Sequence, residues 1–235
     1  MRPIDIARKL KLSTSALRNY EAHGLVPPVE RSTSGYRKYT EEHVAYFTCI
    51  QAMSPGFGMD VTAQVMRLIQ DKQLQAALWL VNEVQANLQR DKQLAERNLA
   101  MLEDGRAGKV EEAGISEWMT IGEVATMTSL PSSTIRHWEK VGLITTSRDE
   151  KNGYRLFNRS QIRKIMLLRT LRPAVYSLSV VELKEAIAGM NEEDVKEARN
   201  IALETLRYLD QMNLVQMRGV FYLYQLVKVV QLVEE

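Results

Sequence analysis

Apolar and polar residues follow the same succession of rhythms twice along this chain. Ile4 to Leu10 is a short amphipathic stretch, Ser13 suits a helix N-cap, and helical spacing runs from Thr14 to about His23. Gly24 stands where a helix closes on a residue of positive φ. Leu25-Val26-Pro27-Pro28-Val29 and Gly35-Tyr36-Arg37-Lys38-Tyr39 then alternate around a Ser-Gly dipeptide, which predicts a β-hairpin, and a further helical pair begins near Glu41. The succession returns 118 residues later, with Pro131 for Ser13, Gly142 for Gly24, and Leu143-Ile144-Thr145-Thr146 leading to Asn152-Gly153-Tyr154-Arg155-Leu156-Phe157. Its next helical pair begins near Arg159, with Ile162, Ile165, Leu168 and Leu171 at helical spacing.

The two passages align without a gap. Ala7, Leu12, Ser15, Arg18, Glu21, Gly24, Leu25, Gly35, Tyr36 and Arg37 recur as Ala125, Leu130, Ser133, Arg136, Glu139, Gly142, Leu143, Gly153, Tyr154 and Arg155. A period this long signals a duplicated domain, not a solenoid of short repeats. Between and after the copies the spacing changes to 3-4. Leu74, Leu78, Val81, Leu88, Ala95, Leu99 and Leu102 predict a coiled-coil-like helix of about 30 residues, interrupted at Gln85 and Lys92. Val195, Ala202, Leu206 and Leu209 begin a second such helix, which becomes apolar over most of its circumference from Met217 to Val233. The expected fold is mainly α: two winged helix-turn-helix domains plus long coiled-coil-like helices. The expected boundaries are a first domain at 1–70, a pairing helix at 71–103, a Gly-containing linker at 104–117, a second domain at 118–190 and a C-terminal pairing helix at 191–235.

Two helices, a tight turn and a hairpin make a winged helix-turn-helix, whose second helix enters the DNA major groove. Leu17-Arg18-Asn19-Tyr20-Glu21-Ala22-His23-Gly24-Leu25 and Ile135-Arg136-His137-Trp138-Glu139-Lys140-Val141-Gly142-Leu143, each followed by Gly-Tyr-Arg-x-aromatic, resemble the MerR family of bacterial transcription regulators. The resemblance covers roughly 1–70 and 118–188. Where that family usually has Tyr-Tyr in the recognition helix, this chain has Asn19-Tyr20 and His137-Trp138. It implies that Arg18 and Arg136 grip phosphate, for which a guanidinium fork is suited. Thr14, Ser15 and Ala16, with Ser132, Ser133 and Thr134, fall at the helix ends that reach base edges. Tyr36, Arg37, Tyr154 and Arg155 on the wings are candidates for backbone contacts, and Asn19, Tyr20, His137 and Trp138 complete the DNA-binding set. A rival assignment pairs Arg18 with Glu21 and Arg136 with Glu139, three residues on. Tyr39 and Phe157 are expected to seal the wings, and Arg159 and Arg163 stand equally for phosphate contact or a solvated helix back.

Charge sharpens this picture. Residues 1–48 carry +3 and residues 119–172 carry +6, so a chain of net charge +2 leaves −7 elsewhere, and a basic block coincides with each copy. The lone cysteine, Cys49, is expected to be a buried filler; it excludes disulfide frameworks and thiolate metal clusters within one chain. His23, His43 and His137 occupy separate contexts, and no phosphate loop, HExxH or nucleophile elbow is present, so neither an enzyme, a metal site nor a cofactor is expected. No apolar run approaches the roughly 20 residues of a membrane helix, and the N-terminus lacks a signal-peptide core, so a cytoplasmic protein without membrane contact is expected. The expected partners are double-stranded promoter or operator DNA, RNA polymerase indirectly, and a small-molecule effector held in an aromatic pocket of Trp79, Tyr208, Phe221, Tyr222 and Tyr224. The chain is expected as a pseudo-dimeric monomer or a homodimer. Two other readings stand beside promoter distortion: a drug-sequestering or drug-sensing helical protein, and an architectural, excisionase-like DNA binder.

Overall fold

A computed structural model describes residues 1–103, 118–150, 152–170, 178–189 and 195–233. The proposed linker and Leu171 lie outside these residues. The elements of the first copy are α1 (Pro3–Leu10), α2 (Thr14–Ala22), β1 (Glu30–Arg31), β2 (Arg37–Lys38) and α3 (Glu41–Gln70), followed by α4 (Leu74–Glu103). Those of the second are β3 (Trp118–Thr120), α5 (Ile121–Thr128), α6 (Ser132–Lys140), β4 (Ser147–Arg148), β5 (Arg155–Asn158), α7 (Arg159–Thr170) and α8 (Leu178–Gly189), followed by α9 (Val195–Val229).

The local chemistry repeats with the sequence. Ser13 Oγ accepts from the Ala16 N–H at 3.0 Å and caps α2, whereas Pro131 occupies the N-cap of α6, where the missing N–H costs nothing. The turns before these helices close on left-handed residues at equivalent positions, Lys11 (φ 53°) and Ser129 (φ 51°). Gly24 and Gly142, at φ 67° and 78°, follow the ends of α2 and α6, a conformation a Cβ would penalise. The wings are antiparallel, pairing Glu30 with Lys38 in one copy and Arg148 with Arg155 in the other. In the second copy β3 adds a third strand, Met119 opposite Phe157, giving the order β3-β5-β4.

The chain divides into two compact units, 1–87 with 210–235 and 88–209, so each contains part of both long helices. The first core gathers Ile6, Leu17, Tyr39, Phe47, Ile50, Met53 and Met66 with Ala77 and Val81 of α4 and Leu223, Leu226 and Val227 of α9. Tyr39 stacks edge-on against Phe47, with centroids 5.4 Å apart, sealing the wing as expected. In this unit α3 bends at Pro55-Gly56-Phe57-Gly58, where Gly58 has φ 77°. The bend brings α3 close to α9: a Cβ on Gly219 would lie 3.2 Å from the Met53 Cα and 3.0 Å from the Phe57 ring. Gln216 Nε2 donates to the Gly56 carbonyl at 2.9 Å. Cys49 is fully buried as expected, and burial pushes its thiol up to about 12.

The second core joins Val124, Ile135, Phe157, Ile162, Ile165 and Leu168 to Ile187 of α8 and to Ala198, Ile201 and Ala202 of α9. Leu99 of α4 packs against it. Each fully buried side chain of this size contributes about 1.5–3 kcal/mol of apolar transfer. The buried stripe of α4 runs through Ala77, Val81, Leu88, Ala95 and Asn98, while Leu78, expected in that stripe, is 41% exposed.

Candidate nucleic-acid interface

Helices α2 and α6 each turn one apolar face inward through Leu17 and Ile135, both at 0% exposure. One position further round, Arg18 and Arg136 are exposed, and among the described residues neither forms an ion pair with a carboxylate. Ser15, Asn19, Ser133 and His137 are also exposed, with Thr14, Ala16, Ser132 and Thr134 partly so. The outer face of both helices therefore presents short polar side chains followed by a guanidinium one turn later.

The glutamates assigned to the rival helix pairs are engaged elsewhere. Arg37 Nε donates to Glu21 Oε2 at 2.6 Å, and Arg155 Nε donates to Glu139 Oε2 at 2.7 Å. Both pairs are mostly shielded from solvent, and each binds a wing strand to its recognition helix. The hydrogen bond to Glu21 raises the Arg37 guanidinium further above its ordinary range. Arg37 and Arg155, expected at the DNA backbone, are thus wing anchors first. Sequence reasoning missed this clamp, although Glu and Arg recur sixteen residues apart in both copies.

Burial would raise the Glu139 carboxyl, but hydrogen bonds from Thr146 Oγ1 at 2.7 Å and from Arg155 outweigh it and hold the group below the ordinary glutamate range. Beyond the clamps, Tyr36 and Tyr154 project from the wing tips, 75% and 67% exposed. The end of α2 is tied to α3, with Arg67 donating to the His23 carbonyl at 3.2 Å and Gln70 to the Gly24 carbonyl at 3.1 Å.

Two expected contact residues turn inward. Trp138 is 8% exposed in the second core, three residues from Ile135 and so on the same helix face. Its ring packs in that core. Tyr20, the equivalent residue, is half-buried against Phe47, centroids 6.3 Å apart, and burial raises its phenol above the ordinary range. Arg159 and Arg163 are half-buried, the former with its Nε enclosed and, among the described residues, without a hydrogen-bond partner.

Of the aromatics assigned to an effector pocket, Tyr208 belongs to the second unit and the other four to the first. Tyr208 packs against the second core. In the first unit Trp79, Phe221 and Tyr224 are 68%, 56% and 55% exposed, and Tyr222 lies edge-on to Phe221 with the Arg218 guanidinium 5.9 Å from its ring centre. A cleft of about 230 Å³ in that unit is lined by other residues, among them Pro27, Pro28, Tyr46, Val230 and Leu232. Among the described residues no group of three His, Cys, Asp or Glu side chains is placed to hold a metal, and no helix is long and apolar enough to cross a membrane.

Comparison with known proteins identifies this arrangement. The family model described as MerR family regulatory protein matches twice, at residues 2–39 and 120–157. The chain is 33% identical over 106 residues to HTH-type transcriptional regulator CueR of Salmonella typhi, covering 42% of this chain and 77% of that regulator. It is 35% identical over 95 residues to HTH-type transcriptional regulator HmrR of Rhizobium leguminosarum bv. viciae, covering 40% and 71% respectively. It is 32% identical over 69 residues to nodulation protein NolA of Bradyrhizobium elkanii, covering 29% of this chain and 31% of that protein. No solved structure matches the chain. With the family model matched in each copy and the CueR and HmrR relatives covered over most of their length, the chain belongs to the MerR family of DNA-binding transcription regulators and carries that family's domain twice.

Proposed function

We infer that one chain binds promoter DNA through two unlike recognition helices, replacing the two identical halves of a homodimer. Arg18 and Arg136 hold phosphate from opposite halves. Thr14-Ser15-Ala16 with Asn19, and Ser132-Ser133-Thr134 with His137, face the base edges, and Tyr36 and Tyr154 touch the backbone from the wings. With both halves engaged the chain bends or twists the promoter, reading its deformability as well as its bases and acting on RNA polymerase through the DNA.

The observation that carries this reading is the repeated clamp. In both copies the glutamate of the recognition helix is occupied by the wing arginine, and among the described residues Arg18 and Arg136 are exposed without a carboxylate partner. That each compact unit contains part of both long helices supports a single chain supplying both halves.

Selection of bound sites from random duplexes tests the reading. The expected optimum is two unlike half-sites, because the two base-facing sets differ at most positions. Recovery of a symmetric inverted repeat as the best sequence would contradict two independent readers in one chain.

A further inference from the structure

The last carbonyls of a helix have no partner within it. At the end of α2 two of them are met by side chains of α3, Arg67 donating to the His23 carbonyl and Gln70 to the Gly24 carbonyl. His23 is the C-cap of α2, so the guanidinium also faces the negative end of that helix's dipole. The ungapped alignment of the copies places Glu185 and Ala188 of α8 at the positions of Arg67 and Gln70. A carboxylate and a methyl group cannot donate. Among the described residues no side chain donates to the carbonyls of Val141 and Gly142, which follow α6. The Ala188 carbonyl instead receives Lys164 Nζ at 3.1 Å, which ties this end of α8 to α7.

Each recognition helix is anchored in its core, through Leu17 or Ile135, and to its wing, through Glu21 or Glu139. In the second copy Trp138 adds apolar contact, but such contact is non-directional and holds a helix down without fixing it along its axis. Hydrogen bonds to terminal carbonyls are directional and fix both axial position and tilt. The residues that face base edges stand at the opposite end of α2, Ser15 about 12 Å from His23 at 1.5 Å per residue. A short helix moves as a rigid rod, so a shift at His23 is a shift at Ser15. We propose that Arg67 and Gln70 are positioning residues for sequence reading: by fixing the end of α2 they hold Thr14, Ser15 and Ala16 in one register on the bases, making the first copy the strict reader and the second the tolerant one. This rests on the reading that both copies bind DNA.

Affinities of the full chain for its selected duplex, and for duplexes with single base changes in either half-site, test the assignment. In the wild type, changes in one half-site should cost more than changes in the other. Arg67→Ala combined with Gln70→Met should lower discrimination in the strict half-site by about three- to tenfold, the effect of one or two hydrogen bonds, and leave the other half-site as it was. The slope of log affinity against log salt should not change, because neither side chain is assigned to phosphate. Arg67→Lys, which still donates, should keep most of the discrimination; a side chain that only held the fold would lower the melting temperature without altering the order or spread of affinities. Equal discrimination in both wild-type half-sites, unchanged discrimination in the double variant, or a lowered salt slope would each overturn the proposal. A wild-type chain that discriminated nowhere would overturn the reading of DNA by both copies as well, whereas discrimination that survives the substitutions overturns the positioning role alone.

Discussion

The two copies hold a wing against a recognition helix with the same clamp and different supports. In the second copy Glu139 receives both Arg155 and Thr146, and the Thr145 N–H donates to Gln161 Oε1 at 3.0 Å. The equivalent positions in the first copy are Pro27 and Pro28, which offer neither a hydroxyl nor an N–H. Glu21 is bound there by Arg37. At the position of Gln161 stands His43, whose Nε2 lies 3.2 Å from the Pro27 carbonyl. The Thr40 N–H donates to His43 Nδ1, so Nε2 carries the hydrogen and serves as the donor that proline lacks. What the duplication keeps is the Glu–Arg tie across sixteen residues. The supporting bonds follow from which backbone groups can donate.

The largest effects should come from beneath the recognition helices, where the copies are alike. Leu17→Ala and Ile135→Ala each empty a fully buried site and should cost about 2–5 kcal/mol, read from denaturant midpoints. A cost in one copy only would show that the other helix is not held by its core.

The clamps should come next, and here the copies should differ. Glu139→Ala strands two donors and should cost about 1–3 kcal/mol, whereas Glu21→Ala strands one and should cost about 1 kcal/mol. Both should weaken DNA binding by freeing the wing. Equal costs would remove Thr146 from the account.

The smallest effect is a pH dependence confined to the second copy's extra bond. Because the folded Glu139 carboxyl lies below its unfolded value, its stabilisation is complete above about pH 4.3 and is lost as pH falls through the folded value. Thr146→Val lifts the folded value toward the unfolded one and should shrink this acid-dependent loss by under about 1 kcal/mol. Denaturant midpoints measured from pH 6 to pH 3 check it; identical slopes in both proteins would contradict the role given to the hydroxyl.

The features legible in the sequence were local. Ser13, Gly24 and Gly142 act where caps and positive φ were expected, and the repeat located both wings. Distant partners were not legible. The Glu–Arg clamps join elements sixteen residues apart, and Gln216 meets Gly56 across 160 positions, so no short-range periodicity records them. The α4 stripe departs from expectation at one position, where Ala77, with little hydrophobic signal, is fully buried and the bulkier Leu78 beside it is 41% exposed. Trp138 entered the DNA-binding set by its place in a motif, and its three-residue spacing from Ile135 marks the inner face on which the structure packs it.

The central claim is that both copies read DNA, and the salt dependence of binding tests it most directly. Measured from about 50 to 200 mM salt, Arg18→Ala and Arg136→Ala should each weaken binding to every sequence and lower the slope of log affinity against log salt by about one. Their melting temperatures should stay unchanged, because among the described residues neither arginine is paired with a carboxylate. An unchanged slope in either variant would contradict the account and reduce that copy to a scaffold.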